Sequence, residues 1–189
     1  MALELDGNPI ATIGPATMTG RSLLLDDNQW ADVPKATLGD FGASDFTIMM
    51  DYQGTGADAS PDESRGALFI RSSQFERPYT GPCVFLHDNG DIVFRTSHDN
   101  SMTVAGAIAD PTSTASHALR FDKLGIVLRV FVNGVLKGSQ RVSSTASVYV
   151  TSADLRFGGN HRDPMRQNLK VVLSNIKLLT TVPQVTTFC

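Results

Sequence analysis

The stretch RVFVNGVLKGS (residues 129–139) places an Asn-Gly pair between two apolar runs. Asn-Gly is the strongest short-range signal for a β-hairpin, because a type I′ turn needs positive φ at both central residues. Asn133 tolerates that conformation and Gly134 adopts it without steric cost. The two-residue loop predicts three cross-strand pairs, Val132–Val135, Phe131–Leu136 and Val130–Lys137. Both faces of the hairpin are largely apolar, so we expect it to be covered on both sides near its tip.

The rest of the chain repeats the same kind of pattern. Short runs rich in Val, Ile, Leu, Phe and Thr recur between clusters of Gly, Asp, Asn, Ser and Pro, as in a sandwich or barrel. Strands are predicted at 22–26, 46–52, 67–73, 82–97, 118–134, 147–151, 154–159 and 169–181. No segment keeps a 3.6-residue period over the length of a helix, which predicts an all-β fold.

A second Asn-Gly pair, Asn89-Gly90, lies inside the apolar stretch at 82–97. A two-residue turn at this pair predicts a second hairpin with its own register. Counting outward from the turn, the expected pairs are His87–Ile92, Leu86–Val93 and Phe85–Phe94.

The length of 189 residues predicts one domain over 1–189, with a core at about 20–180. The stretch 53–66 predicts a mobile, acidic surface loop, and 99–116 a second, less charged loop. The tail at 180–189 is expected to fray or to extend as an arm onto a neighbour.

Charge and hydropathy exclude two classes of partner. The formal net charge is −3, and Lys and Arg are scattered along the sequence without a cluster. A nucleic-acid binder would need a basic patch, so nucleic acid is rejected as a partner. No stretch has the apolar length of a membrane span, and MALELDGN has neither the basic nor the apolar region of a secretory signal, so we expect neither a span nor a signal peptide. Cys83 is interpreted as a buried free thiol, although a bridge to Cys189 stays open.

Seven pieces, in this order, carry a resemblance to a known family: RSLLLDDNQWADVP (21–34), DFTIMMDYQ (45–53), GALFIRSS (66–73), LHDNGDIVFRTS (86–97), RVFVNGVLKGS (129–139), DLRFGG (154–159) and LSNIKLL (173–179). The set resembles the concanavalin A-like lectin/glucanase superfamily, and most of all its laminin-G-like and pentraxin-like members. Ser116 and His117 stand where that family usually has Trp-His. The resemblance implies a jelly-roll sandwich of two antiparallel sheets, one convex and one concave.

The sequence does not predict an enzyme. Glucanases of the superfamily carry carboxylates alternating along one strand, so that acid and nucleophile lie about 5 Å apart. Glu4 and Asp6 have part of that spacing but lack a second glutamate, and Glu63 and Glu76 fall in loop-like sequence. No nucleophile elbow or phosphate-binding loop is present either.

Calcium is the metal that the sequence leaves open, although no cofactor is required by any motif. Loop tips rich in Asp and Asn supply the oxygen ligands that calcium prefers, and several laminin-G-like and pentraxin-like relatives bind calcium at one rim. The candidate ligands are Asp26, Asp27, Asn28, Asp88, Asn89 and Asp91. The alternative is that Asp and Asn simply favour turns.

A glycan site needs an aromatic ring for stacking and a polar group for the hydroxyls. The candidate aromatic residues are Trp30, Tyr52 and Tyr79. Trp30 has a competing interpretation as a core residue, because relatives bury the equivalent ring against the sandwich.

These observations predict a non-catalytic structural or binding module. The leading hypothesis is a virus or bacteriophage surface protein, serving as capsid decoration or fibre head. It would be made in the host cytoplasm and carried on the virion, in contact with other capsid proteins or with copies of itself. The alternative is an extracellular, calcium-dependent lectin that binds cell-surface glycans.

Overall fold

The computed structural model describes residues 3–9, 11–12, 14, 16–19, 21–25, 29–39, 41, 44–55, 66–71, 81–96, 100–142, 153–158 and 170–183. Within these ranges the strands are β1 (Leu3–Leu5), β2 (Asn8–Pro9), β3 (Thr17–Thr19), β4 (Ser22–Leu25), β5 (Ala31–Val33), β6 (Phe46–Gly54), β7 (Ala67–Ile70), β8 (Cys83–Leu86), β9 (Ile92–Arg95), β10 (Ser101–Val104), β11 (Ser116–Leu124), β12 (Val127–Val132), β13 (Val135–Arg141), β14 (Leu155–Phe157) and β15 (Val171–Leu179). One short helix, α1 (Lys35–Leu38), is present in the same ranges.

The described strands form two sheets. The larger sheet has the order β13-β12-β11-β6-β15-β1-β2, with β4 pairing β15 beside β1 and β3 pairing β4. The smaller sheet has the order β10-β9-β8-β7-β14-β5. The fold is therefore an all-β sandwich of two sheets, as predicted. One pair departs from the expected antiparallel pattern, since β1 runs parallel to β15 with Leu3 opposite Ile176.

The core lies between the two sheets and is built by period-2 alternation. On β6, Ile48, Met50 and Tyr52 point inward and are at most 2% exposed, because successive side chains of a strand point to opposite faces. The ring of Phe121 contacts those of Phe69 and Phe94 edge-on, at centroid distances of 5.6 and 5.7 Å. These tilted contacts bring the two sheets together around aromatic rings, an arrangement that aromatic pairs prefer.

The hairpin at Asn133-Gly134 has the predicted turn, with φ of 51° and 77° at the two central residues. Two predicted pairs, Val132–Val135 and Phe131–Leu136, are confirmed. The third is wrong, because a β-bulge places Gly138, instead of Lys137, opposite Val130. A Cβ at Gly138 would lie 2.6 Å from Val104 Cγ2 on the smaller sheet. The bulge thus places Gly138, which has no side chain, where β13 of the larger sheet packs against Val104 of the smaller sheet.

The expectation that this hairpin is covered on both sides is right for one strand only. On β12, Val130 is 0% and Phe131 6% exposed. On β13, Val135 is 57% and Leu136 49% exposed. β13 is the edge strand of the larger sheet, so its side chains have a sheet neighbour on one side only.

The second hairpin forms, but its predicted register is wrong by one residue. The pairs in the structure are Leu86–Ile92, Phe85–Val93 and Val84–Phe94. Asn89 does not have positive φ, whereas Gly90 has φ of 81°, and the amide of His87 donates to the carbonyl of Asp91 at 2.9 Å. The loop is therefore of the three-residue kind, which ends in a left-handed glycine. A shift of one residue exchanges the faces, so Phe94 points into the core and Phe85 outward.

Other differences concern element bounds. Strand β10 lies within the predicted loop 99–116, and β6 continues to Gly54, so the predicted loop at 53–66 begins later than expected. Strands β1, β2, β3 and β5 were not predicted. The predicted strand at 147–151, most of the predicted loop (residues 56–65) and residues 184–189 of the tail lie outside the described residues. Cys83 is buried and free, as predicted.

Candidate ligand-binding site

Asp122 lies at the centre of a polar cluster on the outer face of the larger sheet. It pairs directly with Thr47 on β6 and with Arg129 on β12, and cross-strand neighbours of this kind share a face. The Thr47 hydroxyl donates to Oδ1 at 2.8 Å, and Arg129 Nη2 lies 2.9 Å from Oδ2. Arg120, two residues away on the same strand, adds a bidentate contact at 2.8 and 2.9 Å. The Asp122 side chain is 0% exposed, so its negative charge is balanced by protein groups and not by solvent.

Arg120 is held by contacts on several sides. Besides the two bonds to Asp122, its Nη2 donates to the carbonyl of Pro183 at 2.7 Å. Its guanidinium carbon lies 5.0 Å from the centroid of the Phe131 ring, within the range of a cation–π contact. Arg120 therefore ties the segment after β15 to the outer face of the larger sheet.

Arg129 has a hydrogen-bond donor that no described residue accepts. A guanidinium has five N–H donors, and the contact of Arg129 with Asp122 is made through Nη2. Its Nε is buried and has no hydrogen-bond partner among the described residues. The side chain is 20% exposed and its guanidinium carbon lies 5.7 Å from the Phe131 ring centroid. Arg129 is thus oriented by Asp122 while part of its hydrogen-bonding capacity stays unused.

The surface beside Arg129 is completed by the edge strand. Ser139 pairs directly with Arg129, and Arg141 follows two residues later on the same face. Both residues are exposed, and Arg141 makes no hydrogen bond or ion pair with any residue of the described ranges. Diagonal neighbours across a sheet are roughly 7–8 Å apart, so the two arginines can reach one ligand. We call Arg120, Asp122, Arg129, Ser139 and Arg141 the arginine corner.

The arginine corner corrects the interpretation that basic residues are dispersed. They are scattered in the sequence, but three adjacent strands bring three arginines onto one face, two of them in contact with Asp122, in a chain whose net charge is −3. The predicted strand at 118–134 is two antiparallel strands, because a turn at 125–126 separates β11 from β12. This turn pairs Asp122 with Arg129 and places both on the face of Phe131. Its sequence signal was Gly125, which has positive φ.

Tyr52, one of the predicted sugar-stacking residues, is a core residue. Its side chain is 1% exposed, and its hydroxyl donates to the carbonyl of Pro111. The neighbouring turn is closed by Asp110, whose carboxyl has a lowered pKa because the hydroxyl and amide of Thr112 donate to it. The prediction that a sugar stacks on Tyr52 is therefore wrong, since both faces of the ring are covered.

Trp30 is only partly buried and lies at the edge of the smaller sheet. The Arg156 guanidinium carbon stands 4.8 Å from its ring centroid. Arg156 is fixed in turn by two bonds of 2.7 Å to the carboxylate of Asp32, which it faces across β14 and β5. One side of the indole is thus taken by a clamped cation, and contact of Trp30 with a sugar stays a prediction. Tyr79 lies outside the described residues.

The predicted calcium tip at the second hairpin is built as a hydrogen-bonded turn. Asn89 Oδ1 accepts from the amide of Asp91, and Asn89 Nδ2 donates to Asp91 Oδ2, both at 3.0 Å. Asp91 Oδ1 accepts from the amide of Gly106 at 2.7 Å. These bonds, made at the tip that also carries Asp88, fasten the hairpin to the loop after β10. The other predicted ligands, Asp26, Asp27 and Asn28, lie outside the described residues.

Two further observations concern the described part of the chain as a whole. It contains no group of three or more His, Cys, Asp or Glu side chains placed to hold a metal ion. None of its helices has the length and apolarity that crossing a bilayer would require.

Comparison with known proteins gives structural neighbours alone. No protein-family model matches the chain. No curated protein matches its sequence. A mutant of Trypanosoma rangeli sialidase with trans-sialidase activity has a TM-score of 0.70 at 12% identity, over 93% of this chain and 28% of the sialidase. The chain shares the β-sandwich fold of the matched part of this structure.

Two further structures are similar in the same way. Botulinum neurotoxin type C, whose cell entry depends on interaction with two ganglioside molecules, has a TM-score of 0.64 at 9% identity, over 93% of this chain and 44% of that one. The binding domain of Paraclostridial mosquitocidal protein 1 has a TM-score of 0.66 at 14% identity, over 94% of this chain and 46% of that one. The chain thus spans less than half of each of the three neighbours, and such low identities establish the fold alone.

Proposed function

We propose that this chain is a non-catalytic, lectin-like module that binds a glycan on its surface. The observation that carries the proposal is the likeness, over more than nine-tenths of the chain, to a botulinum neurotoxin whose cell entry depends on gangliosides and to the binding domain of a mosquitocidal protein. We place the fold in the concanavalin A-like superfamily as part of the same proposal. The arginine corner supplies what such a module needs, namely fixed donors on a rigid sheet.

Three carboxylates of the described residues, those of Asp6, Asp32 and Asp122, are engaged within the fold, which favours a binding role over a hydrolytic one. A retaining glycosidase needs two carboxyl groups about 5 Å apart and open to the substrate. Asp6, the residue with part of the required spacing, accepts the amide and the hydroxyl of Thr180 at 2.8 Å each. Asp122 is saturated by arginines and Asp32 by Arg156. Each of these carboxylates joins two parts of the fold.

A glycan array probed with the purified chain tests the proposal. We expect reproducible binding to a defined set of glycans, and no release of reducing sugar or sialic acid from the bound ligands. Repeating the array with a chelator tests calcium, since loss of binding would assign a metal to the Asp and Asn tips. Absence of binding to all glycans, or turnover of a bound one, would overturn the proposal.

The predicted aromatic contacts are tested on the same array. We expect Trp30→Ala or Tyr79→Ala to weaken binding if the ring stacks on a sugar, because the aromatic ring buries a large apolar area in such a contact. Tyr52→Phe is the matched control, since its ring is buried and the change removes one internal hydrogen bond. The Trp30 and Tyr79 predictions fail if both variants bind as tightly as this control.

The role on a virus or bacteriophage particle stays a prediction, together with capsid partners and self-association. Fractionation of particles from the source, followed by detection of the chain on intact virions, tests it directly. An extracellular lectin would instead be recovered free of particles.

A further inference from the structure

We infer that the arginine corner is the ligand site and that its ligand is an anionic glycan, bearing carboxylate or sulfate groups. This inference rests on the proposed glycan-binding function and names its location and ligand class. It starts from charge: the guanidinium groups of Arg120 and Arg129 contact the single carboxylate of Asp122, and Arg141 lies beside Arg129 on the adjacent strand without a partner of its own among the described residues. The corner therefore keeps an excess of positive charge on a chain that is acidic as a whole.

The unused donors point to an acceptor from outside. Arg120 is occupied by Asp122 and Pro183, whereas the Nε of Arg129 is buried without a partner among the described residues. A buried donor without an acceptor costs about 1–3 kcal/mol, and an anionic ligand could supply that acceptor after a small shift of the side chain. Planar carboxylate and sulfate groups suit guanidinium best, because they accept two parallel N–H donors.

The surroundings of Arg129 favour a sugar over a small free anion. The hydroxyl of Ser139 stands directly opposite Arg129 and is exposed, so it can bond a sugar hydroxyl. Leu136, half exposed, pairs with Phe131 in the next row of the same face. It offers apolar surface to the C–H face of a sugar ring. Arg141 lies on the far side of Ser139, where it can meet a second charge on an extended glycan.

Electrostatics also separates a glycan from nucleic acid. The positive charge is confined to one corner, and the net charge of −3 opposes the long phosphate contacts that nucleic-acid binding requires. A short acidic glycan can contact Arg129 and Arg141 without extending over the rest of the sheet.

The test compares Arg129→Gln/Arg141→Gln with the intact chain on four immobilised probes: heparin, polysialic acid, dextran and single-stranded DNA. Lys177→Gln is the matched control, because it removes one exposed cation from β15 in the same sheet, opposite Glu4. Arg141→Gln alone guards against a folding defect, since Arg141 is exposed. We expect at least a tenfold loss for the double variant, a smaller loss for Arg141→Gln, and less than a twofold change for Lys177→Gln.

The probes decide between sources of the charge. Binding to heparin alone supports sulfate as the recognised group, and binding to polysialic acid alone supports carboxylate. In both cases affinity should fall between 50 and 150 mM salt, because exposed charges are screened. Binding to neutral glycans that the double variant retains would overturn the inference while leaving the proposed function intact. Equal binding to single-stranded DNA of matched charge would overturn the glycan assignment, and failure on every glycan would overturn both.

Discussion

Asp122 and Arg129 face each other across β11 and β12, with Oδ2 of the carboxylate 2.9 Å from Nη2 of the guanidinium. The Asp122 side chain is fully buried and the Arg129 side chain is 20% exposed. The pair thus connects the interior of the larger sheet to its surface. Removing Asp122 would leave two guanidinium groups, those of Arg120 and Arg129, without their charge partner, and such a loss from a buried ion pair is strongly destabilising.

Asp122→Asn should destabilise the fold by about 3 kcal/mol, the lower end of the range for removing one partner of a buried pair. Urea unfolding followed by tryptophan fluorescence measures the change. Asp45→Asn is the matched control, since the Asp45 side chain is 42% exposed and lies 3.8 Å from Lys123. Exposed pairs contribute about 1 kcal/mol or less, so equal losses in the two variants would contradict the assignment.

Gly90→Ala should cost about 2 kcal/mol more than Gly134→Ala, although both glycines have positive φ. A Cβ at Gly134 would meet open space, whereas one at Gly90 would lie 1.7 Å from the carbonyl oxygen of Ile108. Left-handed strain of about 1–2 kcal/mol applies to both variants, and overpacking adds about 1–3 kcal/mol at Gly90 alone. Chemical denaturation of the two variants side by side checks the difference; similar midpoints would show that the Ile108 loop yields freely.

Variants of Asn133 should separate turn strain from hydrogen bonding. Its Oδ1 accepts the amide of Ala118 at 2.9 Å, and its own amide donates to the Ala118 carbonyl at 2.7 Å. Asn133→Gly loses the side-chain bond and should cost about 1 kcal/mol. Asn133→Ala loses the same bond and adds left-handed strain of about 1–2 kcal/mol. Equal stabilities of the two variants would indicate that the turn changes conformation.

Cys83 should be unreactive toward thiol reagents in the folded chain. Burial raises the pKa of its thiol from 9.0 to about 12, and the nearby Arg95 lowers it in part. In a chain carrying Cys189→Ser, we expect no reaction with Ellman's reagent at pH 8 until denaturant is added, and one thiol per chain afterwards. Rapid labelling of the native chain would show that the region around β8 opens readily.

The same shift predicts a pH dependence of stability. The unfolded thiol loses its proton near pH 9, while the folded thiol keeps it to about pH 12. The contribution of Cys83 is therefore complete below pH 9 and declines as the pH rises toward 12. Unfolding midpoints from pH 7 to 11 should fall more steeply for the intact chain than for Cys83→Ala, and parallel slopes would contradict the shift.

The sequence predicted those features that depend on local chemistry. The turn at Asn133-Gly134 needs two residues that accept positive φ, and both are present side by side. The register beyond the turn was not predictable, because the bulge at Gly138 responds to Val104 on the other sheet. Asn89-Gly90 is the same pair of residues as Asn133-Gly134, but an Asn-Gly pair is compatible with either a two-residue or a three-residue loop. The contacts of Asp91 with Asn89 and Gly106 accompany the longer loop.

The candidate site was missed for a related reason. Arg120, Arg129 and Arg141 are separated by about ten residues each along the chain, so no window of sequence contains a basic cluster. Their approach depends on two correct registers in succession, of which the second contains the bulge. By contrast Tyr52 was proposed for its chemistry alone, and alternation along β6 directs it into the core.

The last strand has a consequence for the order in which the molecule can assemble. β15 pairs with β1, β4 and β6, all of which lie within the first 54 residues. During synthesis those strands leave the ribosome long before their partner, by on the order of ten seconds at 5–20 residues per second. The edges of β1, β4 and β6 that pair with β15 therefore stay unpaired until residues 171–179 have been synthesised. A nascent chain arrested before that point should bind a chaperone, and release should follow the emergence of β15.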